Sequence, residues 1–133
     1  MLQIGITGRR EVAVTEGNTA KALGSGELEV FATPAMVALV EETAWRSVAP
    51  ALEPGQGSVG TRLELDHVSA TPLGMTVACE TVLVEIDGRR LVFAVQVMDA
   101  GGLVVKGTHE RFVVQNDRFL AKAARKTGEA AVS

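Results

Sequence analysis

Thr33-Pro34-Ala35-Met36-Val37-Ala38-Leu39-Val40-Glu41-Glu42-Thr43-Ala44-Trp45-Arg46-Ser47-Val48-Ala49-Pro50 is the stretch on which the fold turns. It reads as a helix with defined ends. Thr33 suits the N-cap, where its hydroxyl accepts from an early backbone N–H. Pro34 suits the first helical position, where no N–H is needed. Pro50 cannot continue a helix and biases Ala49 away from the helical region. Met36, Leu39, Val40, Thr43 and Ser47 form one stripe, and Ala35, Val37, Ala38, Ala44 and Val48 fill much of the rest. A helix this apolar all round is normally buried. It nevertheless carries Glu41 and Glu42, and charged glutamate is rarely buried without a partner. At least one of the two must therefore reach water, a cation or a site.

On the N-terminal side, Glu11 to Glu16 alternates around Val12 and Val14 and predicts a short strand, closed by Gly17-Asn18. Residues 18–32 predict a loop with glycine hinges at Gly24 and Gly26. This is either a lid or a plain connector. On the C-terminal side, Glu53-Pro54-Gly55-Gln56-Gly57-Ser58-Val59-Gly60 contains the literal spacing G-x-G-x-x-G. A dinucleotide fingerprint must follow a strand and open a helix; this segment follows a helix and opens a strand, so that reading is rejected. What remains is a permissive turn, or a loop whose bare backbone comes close to a ligand.

Four strands are then predicted: 61–68, 75–86, 91–98 and 103–114. Asp87-Gly88 and Gly101-Gly102 are hairpin turns between them. In the last strand Lys106, Thr108 and Glu110 share one face, with Leu103, Val105, His109 and Val113 mainly on the other. Successive hairpins make an antiparallel meander. Residues 117–126 predict a short basic helix, and residues 127–133 are expected to fray. The fold class is α+β, with one domain over residues 1–133 and a sheet curled around the helix, because a flat sheet covers too little of so apolar a helix.

Composition narrows the function. The chain has 133 residues, 47% hydrophobic and 22% charged, with net charge −3. Such a chain can bury a core and is not disordered. With pI near 5.4 there is no basic face for nucleic acid. Aromatics are 4% and tyrosine is absent, so stacking platforms for bases are few. No segment is long enough to span a membrane. The lone Cys79 and the absence of signal-peptide order lead to a cytoplasmic expectation. His109-Glu110 does not extend to H-E-x-x-H, since Val113 occupies the last position; no metal is expected. The tail cations Arg118, Lys122, Arg125 and Lys126 read first as a solvated helix face.

Four stretches together resemble the hot-dog thioesterases of the fluoroacetyl-CoA thioesterase type: Phe31-Ala32-Thr33-Pro34-Ala35-Met36-Val37 with Glu41; Leu52 to Thr61; His67-Val68-Ser69-Ala70-Thr71-Pro72-Leu73-Gly74; and Gly107-Thr108-His109-Glu110-Arg111. The resemblance runs from about Phe31 to Lys126. It implies a hot-dog fold and hydrolysis of acyl-CoA thioesters, with CoA as part of the substrate and no other cofactor. It also implies a homodimer, or a dimer of dimers, binding acyl-CoA between subunits. The catalytic group it implies is Thr33, Glu41 and His67. Gly60 and Phe31 are implied as substrate-contact residues. The chain departs from the family before the helix: Gly24 to Phe31 holds one aromatic residue where the fluoroacetyl enzyme is richer in them. The resemblance, with no long Gly/Ala-lined groove in the chain, implies short acyl groups as substrates, and the aromatic-poor segment implies weak selectivity for fluoroacetyl over acetyl.

The residues suit that chemistry. His67 has an ordinary pKa suited to proton transfer near neutrality. Glu41 can orient His67, activate water or attack the carbonyl. Thr33 sits where helix N–H groups and the helix dipole favour an oxyanion. Singly, each residue has a plain reading: Thr33 a cap, Glu41 a solvent-facing residue, His67 a surface strand-end histidine. The competing function is a non-catalytic hot-dog dimer that binds acyl-CoA or another small ligand; binding alone does not call for all three polar residues.

Overall fold

The computed structural model describes residues 1–128. Strand β1 (Thr7–Ala13) leads through a turn of 3₁₀ helix to α1 (Ala20–Leu23) and then to the long helix α2 (Thr33–Val48). Strands β2 (Gln56–His67), β3 (Thr76–Asp87), β4 (Arg90–Asp99) and β5 (Gly102–Gln115) follow, and α3 (Asn116–Ala124) ends in a 3₁₀ turn, Arg125–Thr127. The rest of the segment expected to fray, from residue 129, lies outside the described residues. The five strands form one sheet in the order β1-β3-β4-β5-β2, with every pairing antiparallel. This is the hot-dog arrangement. No helix among the described residues is long and apolar enough to cross a membrane.

The helix buries one side against the sheet. Met36, Leu39, Val40, Ala44 and Val48 pack with Val77, Cys79, Leu83, Phe93, Val95, Val97, Val105 and Val113. Burial of each Val, Leu, Met or Phe side chain among these contributes about 2 kcal/mol. Ser47, expected on the stripe, is only half-buried, and Ala38 and Trp45 face outward. The apolar character all round is therefore more than the sheet covers. Gly8 lets α2 approach β1: a Cβ there would lie 2.8 Å from Thr43 O, Ser47 Cβ and Thr81 Oγ1.

Bulges curl the sheet. Register shifts occur between Gly60 and Arg62 in β2, between Leu83 and Glu85 in β3, and between Val97 and Met98 of β4, which pair with Val105 and Leu103. Each extra residue increases local twist and bends the strand. The last of these corrects the expected faces of β5. Val104 is the extra residue, so Val104 and Val105 are both buried while Leu103 turns outward.

Three boundaries differ from expectation. β1 begins at Thr7 rather than near Glu11; its polar residues carry no alternating signal because β1 is an edge strand. The glycine-rich segment is a turn only through Gly55, closed by Gln56 N–H donating to Glu53 O at 3.0 Å; from Gln56 it is strand. The helix N-cap is Ala32, not Thr33. Phe31 N–H donates to Thr71 O and Ala32 N–H to Asn18 O, which holds both residues extended and starts the helix at Thr33. Residues 18–32 are not an open loop. The Thr19 hydroxyl caps α1, Gly24 closes it in the left-handed region, and Ala20 N–H donates to Val30 O at 2.9 Å.

Candidate active site

Released from capping, the Thr33 hydroxyl lies 2.9 Å from His67 Nδ1. His67 is the last residue of β2. Its Nε2 is buried with no hydrogen-bond partner among the described residues. Burial lowers the His67 pKa below the ordinary imidazole value, and a bond with the Ser69 backbone partly offsets this. The pair opens on a cavity of about 280 Å³ whose lining includes Ala20, Val30, Phe31, Ser69 and Ala70. Phe31 is 2% exposed and also lines a second cavity of about 230 Å³, with Ala35, Ala38, Leu39 and Glu42. It is thus a wall between two spaces. Ala20, Ser25, Val30 and Phe31, from the segment 18–32 expected as either a lid or a plain connector, line the first.

Glu41 sits elsewhere. Its carboxylate, 39% exposed, accepts from Arg111 Nη1 at 3.4 Å, and it occupies the space beside Gly60 that a Cβ would fill. Arg111 is 5% exposed. It donates from Nε to Ser58 Oγ at 2.8 Å and from Nη2 to Ser58 O at 2.9 Å. Its Nη1 also lies 3.2 Å from His109 Nε2. Arginine can only donate and a carbonyl can only accept. His109 therefore takes the Arg111 hydrogen on Nε2 and donates from Nδ1 to Arg62 O at 2.8 Å. That fixes one neutral tautomer. Desolvation and the Arg111 charge both push the His109 pKa down. The bulge after Gly60 sets this glycine opposite Arg111 across the β2–β5 ladder.

The three expected site residues thus fall into two groups. Thr33 and His67 meet; Glu41 meets Arg111 and Gly60, with no hydrogen bond to His67 among the described residues. Eight helical residues separate Thr33 from Glu41, roughly 12 Å of axial rise. Seven strand residues separate Gly60 from His67, roughly 23 Å at most. Glu42, the neighbour, is tied to Arg46 at 2.8 Å and Arg10 at 3.5 Å on the surface.

Ser58, His109 and Arg111 were not singled out for the site by the sequence reading. Strand parity carries the signal: Val105, His109 and Val113 share the inner face of β5, and Arg111 shares it with them. An arginine facing inward requires an acid, and Glu41 on the facing helix is the available one. Among the described residues no cluster of three His, Cys, Asp or Glu could hold a metal ion.

Comparison with known proteins shows the family of the chain. The family model for fluoroacetyl-CoA-specific thioesterase matches residues 14–117. A fluoroacetyl-CoA thioesterase from Streptantibioticus cattleyicolor is 46% identical over 99 residues, 74% of this chain and 71% of that protein. The solved structure of a fluoroacetyl-CoA thioesterase superimposes with TM-score 0.88 at 36% identity, covering 95% of this chain and 98% of that one. A threonine-to-serine variant in complex with acetyl-CoA gives TM-score 0.89 at 36% identity, covering 95% and 99%. A thioesterase superfamily member from Thermus thermophilus shares the fold, with TM-score 0.89 at 23% identity over 100% and 98% of the two chains. The chain belongs to the family of fluoroacetyl-CoA-specific thioesterases.

Proposed function

We propose that this protein is a homodimeric hydrolase of short acyl-CoA thioesters whose site is assembled from both subunits. The separation of the two polar groups carries this reading. One chain holds a proton carrier, Thr33–His67, and a carboxylate centre, Glu41–Gly60–Arg111, too far apart to act on one carbonyl. β2 is a sheet edge, and an unpaired edge invites a partner strand. Leu63, in mid-strand, is 38% exposed. Two β2 edges paired antiparallel about an axis near Glu64, with the bulge at Thr61 taking up one residue, set Gly60 opposite His67 of the partner subunit. Both then face the helix side, and the two groups flank one carbonyl at each of two equivalent sites.

In that setting His67 manages the proton, with Thr33 fixing its ring through Nδ1 and leaving Nε2 for the reacting group. Glu41, aligned by Arg111, attacks the thioester or activates the water that does. Backbone at the bulge and at the start of α2 provides N–H groups suited to an oxyanion. The cavity at His67 is small for a ligand site, which favours short acyl groups. The one aromatic residue of Gly24–Phe31 gives little basis for separating fluoroacetyl from acetyl.

The test is thiol release from a panel of acyl-CoAs of increasing chain length, with fluoroacetyl-CoA included. Acetyl- and propionyl-CoA should be hydrolysed faster than palmitoyl-CoA, with fluoroacetyl close to acetyl. A preference for palmitoyl-CoA overturns the short-chain reading. Binding of acyl-CoA without release returns the protein to the class of non-catalytic binding dimers.

A further inference from the structure

The chain has two histidines. His67 carries the proton. His109 takes no part in bond making, yet it is a fully buried polar side chain on the inner face of β5. Buried polar groups are held by hydrogen bonds, and both ring nitrogens have a partner. Nδ1 donates to Arg62 O at 2.8 Å, and Nε2 accepts from Arg111 Nη1 at 3.2 Å. Phe93 of β4 stacks on the ring, with centroids 6.1 Å apart and 28° between planes, which fixes the ring plane. Arg62 is the residue at which β2 resumes its register after the bulge. Cε1 of the ring lies 3.3 Å from the place a Gly60 Cβ would take. One ring thus meets the bulge carbonyl, the underside of Gly60 and the guanidinium.

Arg111 Nη1 serves two acceptors, His109 Nε2 at 3.2 Å and Glu41 Oε2 at 3.4 Å. The guanidinium is planar and rigid, and Ser58 holds its Nε and Nη2. An acceptor at His109 Nε2 therefore takes one Nη1 hydrogen and aims the other at the carboxylate. This works only with a neutral ring whose hydrogen is on Nδ1. A charged imidazolium donates from both nitrogens, and would set hydrogen against hydrogen and cation against cation at Arg111. We propose that His109 is a positioning residue for thioester hydrolysis: it holds Arg111 Nη1 on the Glu41 carboxylate and ties that pair to the Gly60 bulge. The proposal rests on the reading of Glu41 as the carboxylate of the reaction. The surroundings favour the neutral ring. Burial and the Arg111 charge lower its pKa, opposed by the bond to Arg62 O and by the charges of Glu41 on α2 and Glu110 on its own strand; from β4 it meets the uncharged Phe93.

Two conservative variants separate positioning from plain packing. Glutamine places its amide near the site of imidazole Nε2, and asparagine near that of Nδ1. His109→Gln therefore keeps an acceptor for Arg111 and gives up the bond to Arg62 O; His109→Asn does the reverse. Each loses one buried bond, so both should lower Tm by similar amounts. Turnover of acetyl-CoA should part them. His109→Asn should lose about tenfold or more in kcat with KM little changed, while His109→Gln should stay within about threefold of wild type. In a Glu41→Gln background, His109→Asn should cost nothing further, because residues acting as a unit are non-additive. ¹⁵N NMR of the wild-type ring nitrogens needs no variant, and should show an uncharged His109 with its hydrogen on Nδ1 at neutral pH. Equal kcat in the two variants, kcat that only tracks Tm, a full further loss in the Glu41→Gln background, or a hydrogen on Nε2 overturns the proposal. Wild type without thioesterase activity, or Glu41→Gln as active as wild type, overturns the Glu41 reading itself and this proposal with it.

Discussion

Replacing Gly60 by alanine separates folding from chemistry. A Cβ at this position would clash with Glu41 Oε2 and lie 3.3 Å from both Arg111 Nη1 and His109 Cε1. Gly60 is not in the left-handed region, so alanine adopts its backbone without strain. The Glu41 carboxylate is the free end of a flexible side chain and will swing aside. Arg111 and His109 need give only a few tenths of an ångström. Stability should change by no more than about 1 kcal/mol, since the alanine itself stiffens the unfolded chain. Activity should not survive as well: a misplacement of about 1 Å costs on the order of a hundredfold. The assay is kcat and KM for acetyl-CoA, with Tm measured alongside. Gly8→Ala is the opposite case. Its Cβ meets backbone Thr43 O as well as Ser47 Cβ and Thr81 Oγ1, all at 2.8 Å. It should lower Tm clearly while leaving kcat of the folded fraction near wild type. If Gly60→Ala keeps kcat within about threefold of wild type, the position of the Glu41 carboxylate does not matter to catalysis and the reasoning fails.

Three further expectations follow from the same geometry. Thr33→Val removes the hydroxyl bonded to His67 Nδ1 at 2.9 Å and should cost about 10- to 100-fold in kcat, the usual effect of losing a group that orients a ligand or base; Thr33→Ser should keep most activity. His67 and His109 both have lowered pKa values in the fold, so the unfolded chain binds their protons first as pH falls. Their contribution to stability is therefore complete above about pH 6.5 and is lost as pH drops below it toward the folded values; thermal melts across pH 5–8 should show Tm falling on the acid side, and His109→Gln should flatten part of that slope. Light scattering at micromolar concentration should give a dimer or a dimer of dimers, and a monomer would remove the basis for a shared site.

Most of the architecture was legible in the chain. The body of the helix, the hairpin at Asp87-Gly88 and most of the inner face of β5 follow from apolar pattern, turn residues and alternation; the helix ends do not, since Ala32 takes the cap position and Ala49 stays in the helical region and opens a 3₁₀ turn, Ala49–Ala51, that includes Pro50. Edge strands were harder, because β1 pairs through polar residues and announces itself weakly. Bulges cannot be read from alternation, so the extra residue at Val104 turned Leu103 to the wrong face. For the site, the family pattern brought out Thr33, Glu41, His67 and Gly60. It could not say which of them meet, since helix rise and strand length distribute them over the subunit. Arg111 was readable from parity alone, but only once Glu41 on the facing helix was considered as its acid.

The central claim is that the proton carrier and the carboxylate come from different subunits, and mixed dimers test it most directly. Glu41→Gln and His67→Ala homodimers should each lose on the order of a hundredfold or more in acetyl-CoA hydrolysis. Glu42→Gln, whose carboxylate pairs with Arg46 and Arg10 on the surface, should stay close to wild type. The two inactive proteins are then unfolded together, refolded as a mixture and assayed. In a mixed dimer one site receives both lesions and the other receives neither. The mixture should therefore recover about a quarter of wild-type activity, from random pairing of two equivalent sites. Recovery of nothing, with mixed dimers demonstrated by mass, would mean that each subunit carries its own complete site, and would contradict the account.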